Sequence, residues 1–201
     1  RRIARRYGGE SMTVVDTDKT LLAACDFRAP SAPSGQMAWF DEIRAVARTI
    51  FERMGFPTTQ NEAWRFTNIS PLTRTAFEPH ASASDAFSPG FIEQACAGLN
   101  ECHRLVFVNE HFQQHLSRIG TLPDGVSLGN LADGGKASER VKRTLGRHAD
   151  HTLNAFTALN TACLKDVAVL ILPEGAVIEQ PIQLLFVSVA SMRSFASHPR
   201  V

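Results

Sequence analysis

The sequence lacks the features that would place it in a membrane, on a nucleic acid or in an oxidising compartment. No run approaches about 18 apolar residues, so no transmembrane helix is predicted. Lys and Arg number 21 and Asp and Glu 20, and the formal charge of +1 gives no overall field to attract nucleic acid or an anionic membrane. The 4 cysteines form no CxxC pair and no dense disulfide spacing, so reduced thiols in a cytoplasmic protein are expected.

Motifs for catalysis and cofactor binding are also missing. There is no G-x-S-x-G elbow, no G-x-G-x-x-G loop, and no pair of carboxylates framed by apolar positions that would tune an acid and a base. Residues 129–138 imitate a Walker A loop, but one residue too many precedes Lys136, and Ala137 occupies the place of the hydroxyl that binds Mg²⁺. We therefore predict that the chain is not an enzyme and contains no catalytic residue and no cofactor-binding residue.

Three clusters of polar side chains could in principle bind a metal or relay a proton: His111 with His115, Cys96 and Cys102 with His103, and His148 and Asp150 with His151. The first fails as a zincin motif because Phe112 stands where the general-base Glu belongs. The second matches no common zinc-knuckle spacing. The third is interpreted as capping and surface hydrogen bonding at a helix junction. No metal-binding residue is predicted.

The first predicted helix spans residues 36–54. Its apolar side chains recur at helical spacing on one face: Trp39, Phe40, Ile43, Val46, Ala47, Ile50, Phe51 and Met54. Asp41 and Glu42 occupy its first turn, and Gly55 is the predicted stop. Such an amphipathic helix needs a partner to pack on.

The next segment is predicted to be short and irregular. Thr59 and Glu62 have the spacing of a capping box, which would open a turn carrying Trp64, and Pro71 would close the segment. Trp64 is interpreted as an anchor in the core. A surface loop over 73–87 is expected to follow. Four further elements are then predicted: a helix over 89–99, a strand over 103–108, a weaker strand over 126–131 and a polar helix over 136–147.

The stretch 154–188 combines a helix with short strands. The helix would bury Leu153, Phe156, Leu159 and Cys163 and would be capped by Asp150 or Thr152. Strands are predicted over three ranges, 167–172, 177–178 and 182–189, with a Pro-Glu-Gly corner at 173–175 and a break at Pro181. Short strands with Pro or Gly at each bend indicate a coil of parallel strands, in which each rung buries its inner face on its neighbours.

Several motifs carry a resemblance to a known family. Residues 154–160 (Asn-Ala-Phe-Thr-Ala-Leu-Asn), followed by Leu-x-Asp at 164–166, Pro-x-Gly at 173–175 and Pro-Ile at 181–182, resemble the start of the β-helix core of the SufB/SufD family. Residues 55–68 (Gly-Phe-Pro-Thr-Thr-Gln-Asn-Glu-Ala-Trp-Arg-Phe-Thr-Asn) resemble the N-terminal signature of the same family. With 104–109 and 145–147 at the expected places, the similarity covers residues 36–201, and its order and spacing resemble the SufD branch more than SufB. Val167 departs from the pattern, because relatives commonly have Gly there.

The resemblance implies a function in iron–sulfur cluster assembly. It implies a non-catalytic scaffold subunit of a SufB–SufC–SufD-type complex, with a SufB-like paralogue and a SufC-like ABC-type ATPase as partners and a cluster formed transiently by the assembled complex. The family uses Cys and His positions later in its sequence for cluster chemistry. No cluster ligand is therefore assigned here: neither Cys163, interpreted as a small buried hydrophobe, nor His198 is nominated.

The predicted fold class is α+β. Residues 1–35 would form a flexible N-terminal segment, residues 36–150 a mainly helical α/β cap, and residues 151–201 a connecting helix and the first strands of a truncated right-handed parallel β-helix. Coil architectures need about three stacked repeats. The chain is therefore expected to be a fragment, and self-association of its last strands with a second copy is one expected consequence.

Two other functions are considered. A trimeric left-handed β-helix acyltransferase would show hexapeptide repeats, which Val169, Ile171 and Val177 do not continue. A stand-alone protein-interaction module with no part in cluster chemistry remains open as the alternative.

Overall fold

The computed structural model describes residues 38–77, 89–96, 101–131, 137–189 and 194–201. Within these ranges the helices are α1 (Ala38–Met54), α2 (Ser70–Thr73), α3 (Pro89–Ala95), α4 (Ala137–Thr144) and α5 (Ala155–Ala162). The strands are β1 (His103–Val108), β2 (His111–Phe112), β3 (Ser127–Asn130), β4 (Ala168–Ile171) and β5 (Ile182–Val187), and 3-10 helices cover Glu62–Trp64 and Gln114–Leu116. The predicted flexible segment 1–35 lies outside the described residues.

Helix α1 ends where the sequence predicts, because Gly55 adopts a positive φ of 64° and its N–H bonds the carbonyl of Phe51 at 2.8 Å. The predicted apolar face is too wide, however. Val46 is 48% exposed and Met54 43% exposed. The side chains buried on the inner face are Phe40, Arg44, Ala47 and Phe51.

Arg44 is the unexpected member of that face, only 2% exposed. Its Nη1 donates to Asp41 Oδ1 at 3.2 Å, and its guanidinium lies 5.6 Å from the centre of the Phe40 ring. A carboxylate one turn away and an aromatic face together offset part of the cost of burying the charge. Both of these partners, Asp41 and Phe40, lie on α1 itself.

Helix α5 is the partner that α1 needs. The two helices and Phe77 form one apolar cluster whose buried members are Ala47, Phe51, Phe77, Ala155, Ala158, Leu159, Ala162 and Cys163. Small alanine side chains allow the two helix backbones to approach closely. Of the predicted stripe, Leu159 and Cys163 are buried and Leu153 is not, at 78% exposed.

The cap of α5 differs from the prediction. Asn154 is the N-cap residue, and its Oδ1 accepts hydrogen bonds from the N–H groups of Phe156 at 2.8 Å and Thr157 at 3.3 Å. Asp150 and Thr152, the predicted caps, lie in the preceding turn instead. Three polar residues within five positions compete for the role, and Asn154 alone directly precedes the first helical residue.

Replacing Asn154 with Ala should therefore lower the free energy of unfolding by about 1 kcal/mol, because two N–H groups at the start of α5 lose their acceptor. Urea denaturation followed by circular dichroism measures the change. Asn154→Asp serves as the control, since a carboxylate accepts the same bonds and favours a helix N-terminus. An equal loss in both variants would contradict the capping role.

The segment after α1 corrects two predictions. The residue that precedes the 3-10 helix is Asn61 rather than Thr59. The Oδ1 of Asn61 accepts a hydrogen bond from the N–H of Thr58 at 2.8 Å. Pro71 lies in the first turn of α2 rather than ending the segment, which suits a residue with no N–H to offer. Trp64 is half-buried, with its ring 5.1 Å from that of Phe156. It therefore packs beside α5 at the margin of the core and is not among the buried core residues. The predicted loop 73–87 is described only up to residue 77, and 75–77 have no regular structure.

Among the described residues, five strands form two small sheets. In the first, β1 is central, pairing antiparallel with β2 and parallel with β5. In the second, β3 and β4 are antiparallel. The predicted strand 103–108 is confirmed, and strands 126–131, 167–172 and 182–189 are confirmed over shorter spans. The predicted strand 177–178 is wrong, because those residues have no regular structure.

The sheets and helices stack in layers. One face of β1 and β5 packs on α3 through a cluster whose buried members are Ile92, Cys96, Val106, Val108 and Leu116. The other face packs on the second sheet through Leu105, Phe107, Leu128 and Ala168. The far side of β4 packs on α1 through Phe40, Leu131, Leu164, Val167 and Val169. Strands covered on both faces explain why β4 and the last four residues of β1, Leu105 to Val108, are continuously apolar.

The fold class is mixed α and β, as predicted. The parallel pair of β1 and β5 agrees with the expected coil, whereas the antiparallel pair of β3 and β4 departs from an all-parallel coil. No closed helix of strands is present among the described residues. Both sheets join strands from either side of residue 150, and the domain boundary proposed there stays a prediction.

Helices α3 and α4 end before their predicted limits. Helix α3 is described up to Ala95 rather than residue 99, and residues 97–100 lie outside the described part. Helix α4 ends at Thr144, three residues before the predicted limit, and Gly146 follows with a positive φ of 81°. None of the helices in the described ranges is long and apolar enough to cross a bilayer.

Candidate functional site: the outer edge of the parallel sheet

The structure describes the residues of all three polar clusters identified in the sequence. His111 lies in β2 and His115 in the second 3-10 helix, so they do not share one α-helix. The buried His103 accepts a hydrogen bond at Nδ1 from the N–H of Gly120 at 3.1 Å. Within the described ranges, no three His, Cys, Asp or Glu side chains come together as a possible metal site.

The turn at 148–151 is held by Asp150. Its Oδ1 accepts the N–H of Thr152 at 2.8 Å, and hydrogen bonds from the side chain and backbone of Thr152 hold the pKa of this carboxyl below its usual value. Asp150 therefore makes a local hydrogen bond in the turn before α5, whereas the cap of that helix is Asn154, so the capping part of the interpretation is wrong. The Walker-like stretch begins in β3, and its residues 132–136 lie outside the described part of the chain.

The cysteines follow the predicted redox state in part. Cys96 and Cys102 are free and buried. Cys163 is buried as predicted, yet it is disulfide-bonded, and its partner lies outside the described residues. The expectation of reduced thiols is wrong for Cys163.

Sequence reasoning assigned no role to Asn109 and Glu110, which form the turn between β1 and β2. Both have positive φ, 47° and 71°, as a two-residue hairpin turn with matching twist requires. The side chains hold distant segments: Asn109 Oδ1 accepts the N–H of Val189 at 2.9 Å, and the carboxylate of Glu110 accepts the N–H of His198. The turn thus ties the end of β5 and the segment 194–201 to β1.

The most distinctive surface of the first sheet is its edge at β5. The pairing of β1 with β5 is in register, and it aligns Leu105 with Leu184 and Phe107 with Phe186, whose rings stack at 5.1 Å. Polar residues begin the ladder, where Arg104 Nε donates to Gln183 Oε1 at 2.6 Å. Apolar side chains of β5 therefore occupy both faces of the sheet, a pattern typical of interior strands.

Backbone hydrogen bonds show which groups of β5 point outward. The carbonyls of Pro181 and Val187 accept from β1, from the N–H groups of His103 and Asn109, each at 2.9 Å. Because successive residues of a strand alternate sides, Ile182, Leu184 and Phe186 direct their N–H and C=O groups away from β1. No strand among the described residues pairs with this outer edge.

The residues of this edge strand are also only partly buried. Every residue of β5 is half-buried except Phe186, which is 37% exposed, whereas all six residues of its neighbour β1 are buried. An apolar strand with a free row of backbone groups is a template for a further strand. The arrangement can therefore bind a polypeptide by strand addition, and it brings together no set of groups suited to acid–base or nucleophilic chemistry.

Two comparisons with known proteins bear on this fold. The model of the SufBD protein N-terminal region matches residues 30–184. The chain is also 31% identical over 166 residues to an iron–sulfur cluster assembly SufBD family protein of Synechocystis sp., an alignment that covers 79% of this chain and 34% of that protein. The alignment thus spans about a third of the curated relative. The motifs at 55–68 and 154–182 lie inside the matched region, and residues 30–184 correspond to the N-terminal region of the family. The chain belongs to the SufBD family.

Proposed function

We propose that the chain is part of a non-catalytic scaffold subunit, of the SufD branch, in a SufB–SufC–SufD-type complex that assembles iron–sulfur clusters. The family match over residues 30–184 carries the proposal. The name of the Synechocystis relative assigns that protein to iron–sulfur cluster assembly. The partners would be a SufB-like paralogue and a SufC-like ABC-type ATPase in the cytoplasm, and the cluster would be a transient product of the complex.

The outer edge of β5 supports this scaffold role. A right-handed parallel β-helix grows when successive strands stack in register with like side chains aligned, and β1 and β5 already pair in this way. We propose that further parallel strands continue the sheet at Ile182, Leu184 and Phe186. A surface that grows by stacking suits a subunit whose task is to hold other subunits in place.

The test is co-purification of the full-length parent protein with SufB-like and SufC-like proteins from the same source. Deleting residues 1–150 would remove β1 and leave β5 unsupported, so point variants are the sharper probe. Phe186→Lys places a charge on the outer strand, and Phe66→Lys, at a residue 92% exposed on another part of the fold, is the matched control.

We expect both partners to co-purify with the wild-type protein and with Phe66→Lys. Phe186→Lys should reduce the recovery of the paralogue about tenfold, since a desolvated charge at a strand interface is costly. Anaerobic addition of iron and sulfide to the complex should give the visible absorbance of a cluster. If neither partner is retained, the scaffold proposal fails, and the stand-alone interaction module replaces it.

A further inference from the structure

Helix α4 carries a basic surface. It consists of four exposed cations, Arg140, Lys142, Arg143 and Arg147. Arg147 lies just beyond the helix, where its N–H donates to the carbonyl of Thr144 at 3.1 Å. No acidic residue stands between positions 140 and 147, although Lys and Arg number 21 and Asp and Glu 20 in the whole chain. Positive charge is therefore concentrated on α4 in a chain whose charges nearly balance overall.

The packing of α4 leaves the basic surface on the side away from the sheets. Val141 and Leu145 pack against the cluster that joins β4 to α1. Arg143 is two positions from each of them and lies on the opposite side of the helix, because 3.6 residues complete a turn. Helix α4 thus covers a face of β4, whereas added strands extend a sheet in its own plane. Further strands that pair with either sheet do not take the place on the outer side of α4.

The charges of the basic surface have no counter-charge within the described residues. None of the four side chains forms a salt bridge there, not even with Glu139 in the first turn of α4. The helix dipole favours Lys142 and Arg143, which stand in the last turn. It gives no such advantage to Arg140, which is three positions before Arg143 and repels it. Carboxylates from outside this part of the chain would relieve the repulsion.

We propose that the basic surface of α4 binds an acidic α-helix of a partner protein, whose carboxylates lie opposite Arg140, Arg143 and Arg147. The three arginines follow one another at spacings of three and four positions. Side chains on one face of a partner helix have the same spacing, so one row of carboxylates can meet all three guanidinium groups. Guanidinium groups bind carboxylates through paired, charge-assisted hydrogen bonds. The proposal does not depend on the scaffold function proposed above.

Two other anionic partners fit this surface less well. A helix that lies in a membrane surface needs large apolar side chains free to enter the lipid. The apolar residues Val141 and Leu145 of α4 pack inside the protein instead. Nucleic-acid binding draws on a strongly basic domain and, for single strands, on stacking aromatic side chains. The chain has a formal charge of +1, and α4 contains no aromatic residue. These observations favour a protein partner.

The test uses the full-length parent protein and three labelled helical peptides of Ala and Gln residues. The peptides differ only at three positions of one face, spaced by three and four residues, which carry Glu, Gln or Lys. Fluorescence anisotropy measures binding at low and high salt. The Glu peptide should bind about tenfold more tightly than the Gln peptide at low salt, and the difference should shrink at high salt, because exposed charges are screened.

Reversal of the surface charge provides the variant. Arg143→Glu combined with Arg147→Glu should weaken binding of the Glu peptide about tenfold and leave the Gln peptide within about twofold. The matched control is Arg53→Glu combined with Arg74→Glu, which changes the net charge equally at exposed positions on α1 and after α2. The variant with reversed α4 should also bind the Lys peptide about tenfold more tightly than the control does. This gain requires a folded surface, so a variant that fails to fold does not produce it.

The proposal is overturned if the Glu and Gln peptides bind alike, if the two double variants have the same effect, or if reversal of α4 brings no gain for the Lys peptide. Phosphatidylglycerol vesicles and a short single-stranded RNA are the remaining probes. If reversal weakens binding to either of them more than binding to the Glu peptide, that ligand replaces the acidic helix. None of these measurements involves the SufB-like and SufC-like proteins, so the two proposals fail separately.

Discussion

Replacing Asp166 with Ala is expected to lower the free energy of unfolding by about 4 kcal/mol, enough to abolish most of the stability of a typical domain. The carboxylate is buried between the end of β3 and the start of β4. It accepts hydrogen bonds from Asn130 Nδ2 at 2.6 Å and from the N–H groups of Leu131 at 3.1 Å and Val167 at 2.8 Å. Alanine would leave two buried donors, Asn130 Nδ2 and the N–H of Val167, without this acceptor, at about 1–3 kcal/mol each before relaxation. The N–H of Leu131 keeps a second acceptor, the carbonyl of Val167 at 3.0 Å.

Asp166→Asn is the matched control, with an expected loss of about 1–2 kcal/mol. The amide oxygen can still accept both backbone N–H groups. Asn130 can turn its own amide so that Oδ1, which is buried with no hydrogen-bond partner, accepts from the new NH₂. Urea denaturation with an unchanged m-value gives both numbers. Equal losses in the two variants would show that the charge of Asp166, rather than its acceptor geometry, stabilises the junction.

Phe51→Ala should cost about 4 kcal/mol, the second of the large effects. Phe51 is 0% exposed at the contact of α1 with α5, and its ring meets that of Phe56 edge to face at 5.1 Å. Truncation removes this contact and leaves a cavity between two helices that the neighbouring alanines of α5 cannot fill. Thermal denaturation should show a midpoint lowered by about 10 °C.

Phe66→Ala provides the comparison for Phe51. Phe66 belongs to the family motif at 55–68, but it is 92% exposed, and its ring lies 5.4 Å from the guanidinium of Arg65. Its truncation should change stability by less than about 0.5 kcal/mol. A large loss at Phe66 would mean that a surface of this motif is covered in solution. A small loss at Phe51 would mean that α1 and α5 repack around the cavity.

Local sequence signals predicted the elements with continuous apolar runs or a demanding glycine. Strand β1 has the predicted limits because its six residues are all buried, and Gly55 and Gly175 take positive φ where a helix stop and a turn were expected. The departure at Val167 proved harmless to the backbone: its φ is not positive, and its N–H bonds Asp166.

The errors arose where several local solutions compete or where the partner is distant. Asp150, Thr152 and Asn154 are all acceptable caps, and only the position of the first helical residue decides among them. The strand signal at 126–131 contained no information on orientation, and the antiparallel pairing with β4 depends on a connection through α4 and α5. Arg44 is buried because segments from elsewhere in the chain pack over this face of α1. The helical periodicity of the α1 sequence contains no information about those segments.

The candidate surface at β5 could be inferred in part from the sequence. The apolar run of β5 indicated a strand that needs neighbours, and self-association through it stays a prediction. Its pairing with β1 could not be inferred, because the paired residues are 79 positions apart.

The parallel pairing of β1 with β5 also constrains how the protein is made. Paired residues in these strands are 79 positions apart. At about 5–20 residues per second, the ribosome needs about 4–16 s to deliver β5 after β1 has emerged. During that interval β1, whose last four residues are apolar, has the short strand β2 beside it but not β5, and it is exposed to other nascent chains. We expect synthesis at high expression levels to depend on chaperones that shield β1 until β5 arrives.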